Sequence, residues 1–141
     1  MHITLEADYA VRIVQCLAIN NERMDAASIS EKTGVTLRFS LKILRKLVAN
    51  GIVCSFKGAK GGYELARPAS EISLAQVLEV VEGKYAISRC VSEEPYNCNY
   101  TANSCNMCKI HRIYERVSDM VRKELENVKF SELIESNCKK D

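Results

Sequence analysis

The sequence predicts a mostly helical protein with one small β-hairpin: a winged helix-turn-helix followed by a long helix suited to dimerisation. Three observations predict this fold class. Two short helical patterns meet at a glycine between residues 25 and 51, a glycine-rich hairpin follows, and an amphipathic pattern returns over residues 108–128. The 141 residues are enough for one ordinary domain with a single core.

Composition narrows the class of protein further. Hydrophobic residues make up 47% of the chain, which is typical of a globular protein. No apolar run approaches the roughly 20 residues that cross a bilayer, and the N-terminus lacks the basic start and apolar stretch of a secretion signal. We therefore expect a cytoplasmic protein whose thiols are kept reduced.

The first three helices follow from periodicity and capping residues. A four-residue apolar spacing predicts a helix over residues 3–20. Asp25 is expected to cap a second helix that runs to Lys32, and Thr36 a third that ends at Gly51. We expect the buried face of the third helix to consist of Leu37, Leu41, Leu44, Leu47 and Val48.

The next segment predicts a wing. Residues 52–56 and 63–66 are short β-type runs, and the glycine-rich turn from Lys57 to Gly62 joins them. After Pro68, Ser73 is expected to cap a helix over residues 74–82 that Gly83 stops.

The last part of the chain predicts a loop and a long helix. Residues 84–107 are polar and rich in Asn and Cys, and a loop of this length is usually functional. The helix over residues 108–128 carries an apolar stripe that we expect to pair with a second copy, although packing on its own domain would also cover it. A short helix is expected at residues 131–135. The apolar stripe comprises Ile110, Ile113, Val117, Val121, Leu125 and Val128.

This pattern divides one intertwined domain into four parts. Residues 1–67 form the winged helix-turn-helix DNA-binding region and residues 68–83 a linking helix. Residues 84–108 form a cysteine-rich cluster loop, and residues 109–141 the dimerisation helix and C-terminal tail.

Charge indicates a nucleic-acid partner. The net charge of +2 hides a segment, residues 36–67, that carries +6 and leaves −4 on the remainder. Such a local basic surface is typical of a protein that binds double-stranded DNA, although a solvated lysine-rich helix gives the same count. We expect Arg38, Ser40 and Lys42 to read bases and Lys46, Lys57 and Lys60 to contact the DNA backbone. The full candidate set is Thr36, Arg38, Ser40, Lys42, Arg45, Lys46, Lys57 and Lys60.

Four of the seven cysteines indicate a metal site. Cys90, Cys98, Cys105 and Cys108 lie within nineteen residues, and a cytosolic cysteine cluster favours metal binding over disulfides. Four thiolates suit an iron–sulfur cluster or zinc, and the wide, uneven spacing favours the cluster. His111, one turn after Cys108, is a weaker candidate ligand.

No catalytic role is indicated by the motif Cys105-x2-Cys108 or by the other three cysteines. Cys16 and Cys54 are expected to be small packed residues and Cys138 a free thiol near the terminus. A redox enzyme of this motif would show a thioredoxin-like βαβ pattern, which is absent. We therefore predict no catalytic residues.

Three segments resemble the bacterial Rrf-type family of winged-helix transcriptional regulators. They are ITLEADYAVR at residues 3–12, LVANGIV at residues 47–53 and KGAKGGYELA at residues 57–66, and the resemblance runs from Met1 to about Ile134. It implies a homodimeric repressor with a long helix at the dimer interface. In the iron–sulfur members IscR, NsrR and RirA, three cysteines precede that helix, and Cys90, Cys98 and Cys105 match them.

The resemblance leaves the fourth ligand open. IscR-like members use a His three residues after the third cysteine, where this sequence has Cys108. NsrR-like members recruit an Asp from the first helix of the other subunit, and Asp8 stands at the matching place. We rank Cys108 above Asp8, and both [2Fe–2S] and [4Fe–4S] clusters are compatible.

The resulting hypothesis is a regulator, expected to be a repressor, whose operator affinity depends on an iron–sulfur cluster. The signals that fit are iron–sulfur status, iron, nitric oxide or redox stress. The alternatives are a cluster-free regulator of cysteine or sulfur metabolism, controlled by a protein partner as in CymR-like members, and a regulator with structural zinc.

Overall fold

A computed structural model describes residues 2–92, 96, 98–99 and 107–134. Over these residues it has helices and one two-stranded antiparallel sheet, which confirms the predicted fold class. A 3₁₀ turn, Ala69–Glu71, follows the sheet. The elements are α1 (Leu5–Asn20), α2 (Ala26–Thr33), α3 (Leu37–Ala49), β1 (Val53–Phe56), β2 (Gly62–Leu65), α4 (Leu74–Glu82), α5 (Arg89–Ser92) and α6 (Lys109–Asn127).

Side-chain caps begin α2, α3 and α4 at the positions that the sequence indicates. Asp25 accepts from the Ser28 amide at 2.8 Å, and Thr36 accepts from the Phe39 amide at 3.4 Å. Ser73 accepts from the Gln76 amide at 3.2 Å while the Gln76 side chain accepts from the Ser73 amide at 2.9 Å. Each cap satisfies an amide that the helix itself leaves unpaired. The predicted starts of α2, α3 and α4 are therefore confirmed.

The wing is tied to the segment between α1 and α2. The β1–β2 hairpin pairs Val53 with Leu65 and Phe56 with Gly62. Met24 exchanges two backbone hydrogen bonds with Tyr63, at 2.9 and 2.7 Å. Gly62 permits this approach, since its φ is +145° and a Cβ there would lie 2.6 Å from the Met24 carbonyl oxygen. The hairpin is thus fixed at its base.

One core joins α1, α3, α4, the sheet and the C-terminal segment. Phe130 is its largest fully buried side chain, and its amide donates to the Ile72 carbonyl at 3.0 Å. The predicted helix over residues 131–135 is wrong over the described residues 131–134, which form turns instead. The burial of Phe130 explains the difference, because it holds this segment against the turn before α4. The other large buried side chains include Ile13, Leu17, Ile29, Ile43, Leu44, Leu47 and Ile72.

The orientation of α3 differs from the prediction. Leu37 is 46% exposed, whereas Ser40 is fully buried. The buried face consists of Ser40, Ile43, Leu44 and Leu47, which also recur at threes and fours. The buried face of α3 therefore includes Ile43 and Ser40, whereas the sequence predicted Leu37 and Leu41.

Two further findings concern the remaining helices. The region expected to be a loop contains the short helix α5, which packs against α6. Among the described residues, no helix combines the length and apolar character that a membrane span requires.

Candidate DNA interface and metal centre

The outward side of α3 presents the predicted basic residues. Arg38, Lys42 and Arg45 are exposed, and they line one open depression. Ser40 does not belong to this surface. Its hydroxyl lies 3.4 Å from the Val35 carbonyl oxygen inside the core, so the prediction that Ser40 reads bases is wrong.

Thr36 and Lys46 lie at the margins of this surface. Thr36 is exposed, and its hydroxyl is the N-cap of α3. Lys46 is half-buried because its ammonium group contacts α1. Both residues are therefore engaged within the protein.

An acid from α1 pairs with two lysines of α3. Glu6 accepts from Lys46 Nζ at 2.6 Å and from Lys42 Nζ at 3.1 Å. The hydrogen bond from Lys46 is the main reason that the pKa of Glu6 falls below its ordinary value, and the bond from Lys42 adds to it. The sequence offered no signal for this contact, since 36 and 40 residues separate the partners.

Arg23 holds the wing. Its guanidinium carbon lies 3.4 Å from the centroid of the Phe56 ring, and Nη1 donates to the Lys60 carbonyl at 3.1 Å. Nε lies 3.6 Å from Glu64 Oε2. One side chain thus contacts both strands and the tip, while the side chains of Lys57 and Lys60 stay exposed. The sequence prediction missed this residue because Arg23 lies outside both the helix-turn-helix and the wing.

The predicted cysteine ligands are only partly described. Cys90 lies on α5, half-buried, with its sulfur 3.4 Å from the Ser88 hydroxyl. Cys98 is exposed, and Cys108 is the N-cap residue of α6. Cys105 and Cys138 lie outside the described residues. Over the part of the chain that is described, no three metal-ligating side chains form a group.

His111 and Asp8 stand in different surroundings. His111 lies in the first turn of α6, and its Nδ1 is buried without a hydrogen-bond partner among the described residues. A buried polar atom of this kind is costly unless something else satisfies it. Asp8 is paired with Arg12 at 2.7 Å on α1.

The two cysteines expected to be packed residues lie away from this region. Cys16 is buried on α1, and burial raises the pKa of its thiol. Cys54 is half-buried in β1.

A buried serine fastens the start of the cysteine-rich segment to α6. Ser118 is fully buried, accepts from the Ile87 amide at 3.0 Å and donates to the Tyr114 carbonyl at 2.7 Å. Residues 84–88 therefore follow α6 closely. Because α5 also packs against α6, the element that carries Cys90 lies against the helix that Cys108 begins.

The apolar stripe of α6 divides into two faces. Val121 and Leu125 are half-buried and line a cavity of about 520 Å³ with α4 and the N-terminus. A second row, at spacings of three, four and three residues, points outward. It comprises Ile110 (54% exposed), Ile113 (50%), Val117 (half-buried) and Met120 (64%).

Comparisons with known proteins agree on one family. Residues 3–136 match the model of the Rrf2 family, described as iron-dependent transcriptional regulators. Protein aau3 of Rhizobium meliloti is 35% identical over 76% of this chain and 70% of its own length. The HTH-type transcriptional regulator IscR of Pectobacterium atrosepticum is 28% identical over 95% of this chain and 79% of its own.

The fold is also found among solved structures. The structure of CymR, the global cysteine regulator of B. subtilis, superposes with a TM-score of 0.74 at 20% sequence identity. The superposition covers 95% of this chain and 96% of that one.

Proposed function

The chain belongs to the Rrf2 family of transcriptional regulators, and from this we propose that it binds operator DNA as a homodimer under the control of an iron–sulfur cluster. Its relatives are named regulators rather than enzymes. Regulation through DNA binding is common to the family.

The observation that carries the proposal is the outward row of cations on α3. In a helix-turn-helix the second helix enters the major groove, and its N-terminal residues reach base edges. Arg38, Lys42 and Arg45 lie on that side of α3. We assign base contacts to Arg38 and Lys42 and phosphate contacts to Arg45, Lys57 and Lys60. Thr36 has the weaker claim because its hydroxyl caps α3. Lys46 also has the weaker claim because it is half-buried against Glu6, whereas Lys42, which contacts the same carboxylate, stays exposed.

The exposed row on α6 supports a homodimer. Ile110, Ile113, Val117 and Met120 repeat with the spacing of a coiled-coil seam. Side chains of this size exposed in a row are a liability unless a partner covers them. An antiparallel copy of α6 offers a surface of the same apolar chemistry. Two copies would also present two α3 helices to the two halves of a palindromic operator.

The donor set around the start of α6 fits an iron–sulfur cluster. Thiolates are the ligands that such clusters prefer, and Cys90, Cys98, Cys105 and Cys108 supply four within one segment. The Nδ1 of His111, one turn beyond Cys108, is buried, has no hydrogen-bond partner within the described part of the chain, and offers a further donor. When bound, the cluster would supply iron that reacts with oxygen or nitric oxide.

The role of the chain is to connect that site to the rest of the dimer. The Ser118 hydroxyl fixes residue 87 against α6, and α5 packs on the same helix. Cys90, which α5 carries, is therefore a ligand candidate on an element that packs against the helix that we assign to the dimer interface. A change in the cysteine-rich segment would alter the relative placement of the two α3 helices. It would regulate operator binding only if the two states bind DNA with different affinity.

The first test is anaerobic purification with visible absorption and analysis of iron, acid-labile sulfide and zinc. We expect a brown protein that contains iron and sulfide, and we expect Cys98→Ala to lose both. Cys54→Ala is the matched control, since it removes a thiol from β1 and should retain them. Comparison of Cys108→Ser, His111→Ala and Asp8→Ala identifies the fourth ligand as the variant that loses cluster.

A colourless protein that stays colourless after anaerobic reconstitution would overturn the cluster. Zinc in that protein would indicate a structural site. Absence of any metal would favour the alternative of a cluster-free regulator controlled by a protein partner. Neither result would alter the assignment of DNA binding to α3.

A further inference from the structure

The first turns of α3 expose apolar side chains beside the cations. Leu37 is 46% exposed and Leu41, one turn later, is half-buried. They line the same open depression as Arg38, Lys42 and Arg45. Leucines at this spacing form one continuous strip, because residues four apart are neighbours on a helix.

Folding does not require this exposure. Ser40 takes the interior position in the same turn, so an apolar residue faces solvent while a polar one is buried. A buried serine hydroxyl next to the exposed Leu37 is the reverse of what burial favours. A strip of this kind indicates that a ligand covers it.

The neighbours of the strip identify the ligand. Three cations flank it, which suits a polyanion better than an apolar protein surface. The strip also lies at the N-terminal end of the helix that we assign to the major groove. Thymine is the base that presents a methyl group there, and apolar side chains recognise it.

Phe39 is the other exposed apolar residue of this turn, and α1 holds it. Its ring contacts the Tyr9 ring edge-on with centroids 6.0 Å apart, and Lys42 Nζ lies 6.0 Å from its centroid. We infer that Leu37, supported by Leu41, contacts the 5-methyl group of a thymine in each operator half-site. This inference rests on the proposed DNA binding through α3.

The experiment begins with selection of binding sites from a random duplex DNA pool by the purified protein, with and without reconstituted cluster. Each thymine of the selected site is then replaced singly by deoxyuracil, which lacks only the methyl group. We expect one position per half-site to lose about four-fold in affinity, the value of one buried methyl group.

The same duplexes are then measured with Leu37→Ala and, as a control, Ile19→Ala. Ile19 is 54% exposed on α1, so its truncation also removes an exposed apolar side chain. With Leu37→Ala the loss on deoxyuracil substitution should vanish, whereas Ile19→Ala should retain it.

Three outcomes would overturn the inference in distinguishable ways. No enrichment from the pool under either condition removes the proposed DNA binding and the inference with it. An enriched site with no deoxyuracil effect removes the thymine contact and leaves DNA binding intact. An equal deoxyuracil effect in wild type and Leu37→Ala assigns the methyl contact to another residue. The deoxyuracil series on wild type does not depend on the stability of any variant.

Discussion

Glu6, in the first turn of α1, is an acidic residue that lies beside the basic surface of α3. It occupies the ammonium groups of both Lys42 and Lys46 and places a negative charge where DNA phosphates would approach. Two of the cations that the charge count assigns to DNA are therefore partly neutralised inside the protein. The number of basic residues in the sequence of α3 is therefore larger than the number of cations that are free to contact phosphate.

We expect Glu6→Gln to bind operator DNA several-fold more tightly than wild type. The substitution keeps the shape of the side chain and frees both lysines for phosphate. Each new phosphate contact should steepen the slope of log affinity against log salt by about 0.9. Titrations at several salt concentrations measure this slope. Glu126→Gln on α6 is the control, and an unchanged slope for Glu6→Gln would contradict the prediction.

The same pair predicts a pH dependence of stability. Because the pKa of Glu6 in the folded protein is below its ordinary value of 4.5, the carboxylate stabilises the fold above that pH. The contribution disappears as the pH falls through the folded-state value. We expect wild type to exceed Glu6→Gln in free energy of unfolding by up to about 1 kcal/mol at pH 7, the upper range for surface pairs. Denaturant titrations at pH 7 and in acid should show the difference vanish.

At this scale, sequence predicts residues that act locally and misses those that act across the chain. The caps at Asp25, Thr36 and Ser73 were predictable because each bonds within three residues of itself. Glu6 and Arg23 were not, since their partners lie more than thirty residues away. The prediction for Ser40 was wrong because a charged helix can carry serine on its buried face or on its exposed face. Only the packing of the helix determines which face the serine occupies.

The wing illustrates how one residue orients an element. Arg23 contacts Phe56 in β1, Glu64 in β2 and the Lys60 carbonyl at the tip. The two strands alone form a short hairpin, and an isolated two-stranded hairpin is marginally stable. Arg23 therefore fixes the position of the wing lysines, Lys57 and Lys60, relative to α3.

We expect Arg23→Ala to weaken operator binding about ten-fold with little loss of helix content. Stacking of a guanidinium on a ring and its hydrogen bond are together worth on the order of 1–2 kcal/mol, which corresponds to that factor. Arg23→Lys retains the charge but loses the planar stacking, so it should recover only part of the affinity. Full activity of Arg23→Ala would show that the pairing of Met24 with Tyr63 suffices.

Among whole elements, the helices with local start and stop signals were predictable. The pattern over residues 108–128 predicted α6 to within one residue at each end. The short helix α5 and the turns at residues 129–134 were not predictable, because tertiary contacts with α6 and Ile72 determine them. For the cysteine site, the sequence predicts which side chains can bind a metal but not how they are arranged in space. The uneven spacers between the cysteines set no distances between the ligands.

At the scale of the whole molecule, α6 has one face on its own domain and one facing outward. The exposed row of Ile110, Ile113 and Met120 follows the seam spacing, while Ser118, Val121 and Leu125 pack inward. The predicted stripe placed Ile110, Ile113, Val121 and Leu125 on a single face and did not include Ser118 or Met120. Because the stripe is divided, one helix packs on its own domain with one face and leaves the other for the proposed dimer interface.

We expect Ile113→Glu to convert the dimer to monomer. A charge in the centre of the seam would lose its hydration on association, at a cost of several kcal/mol per ion. Sedimentation velocity measures the change in mass, and operator affinity should fall with it because only one half-site is then held. Glu126→Lys, outside the seam, is the control, and a monomeric wild type would refute the proposed interface.

The C-terminal end of α6 is joined to the DNA-binding part by backbone hydrogen bonds as well as by packing. Leu74 donates to Val128 at 2.9 Å, Phe130 donates to Ile72 at 3.0 Å, and the Phe130 ring is fully buried. In the proposed dimer, α6 and α3 of each subunit therefore move as one body. One extra base pair at the operator centre displaces a half-site by about 3.4 Å and rotates it by about 35°. Such a dimer has no hinge at this joint to follow that change, so its genomic sites should share one spacer length even where their sequences differ.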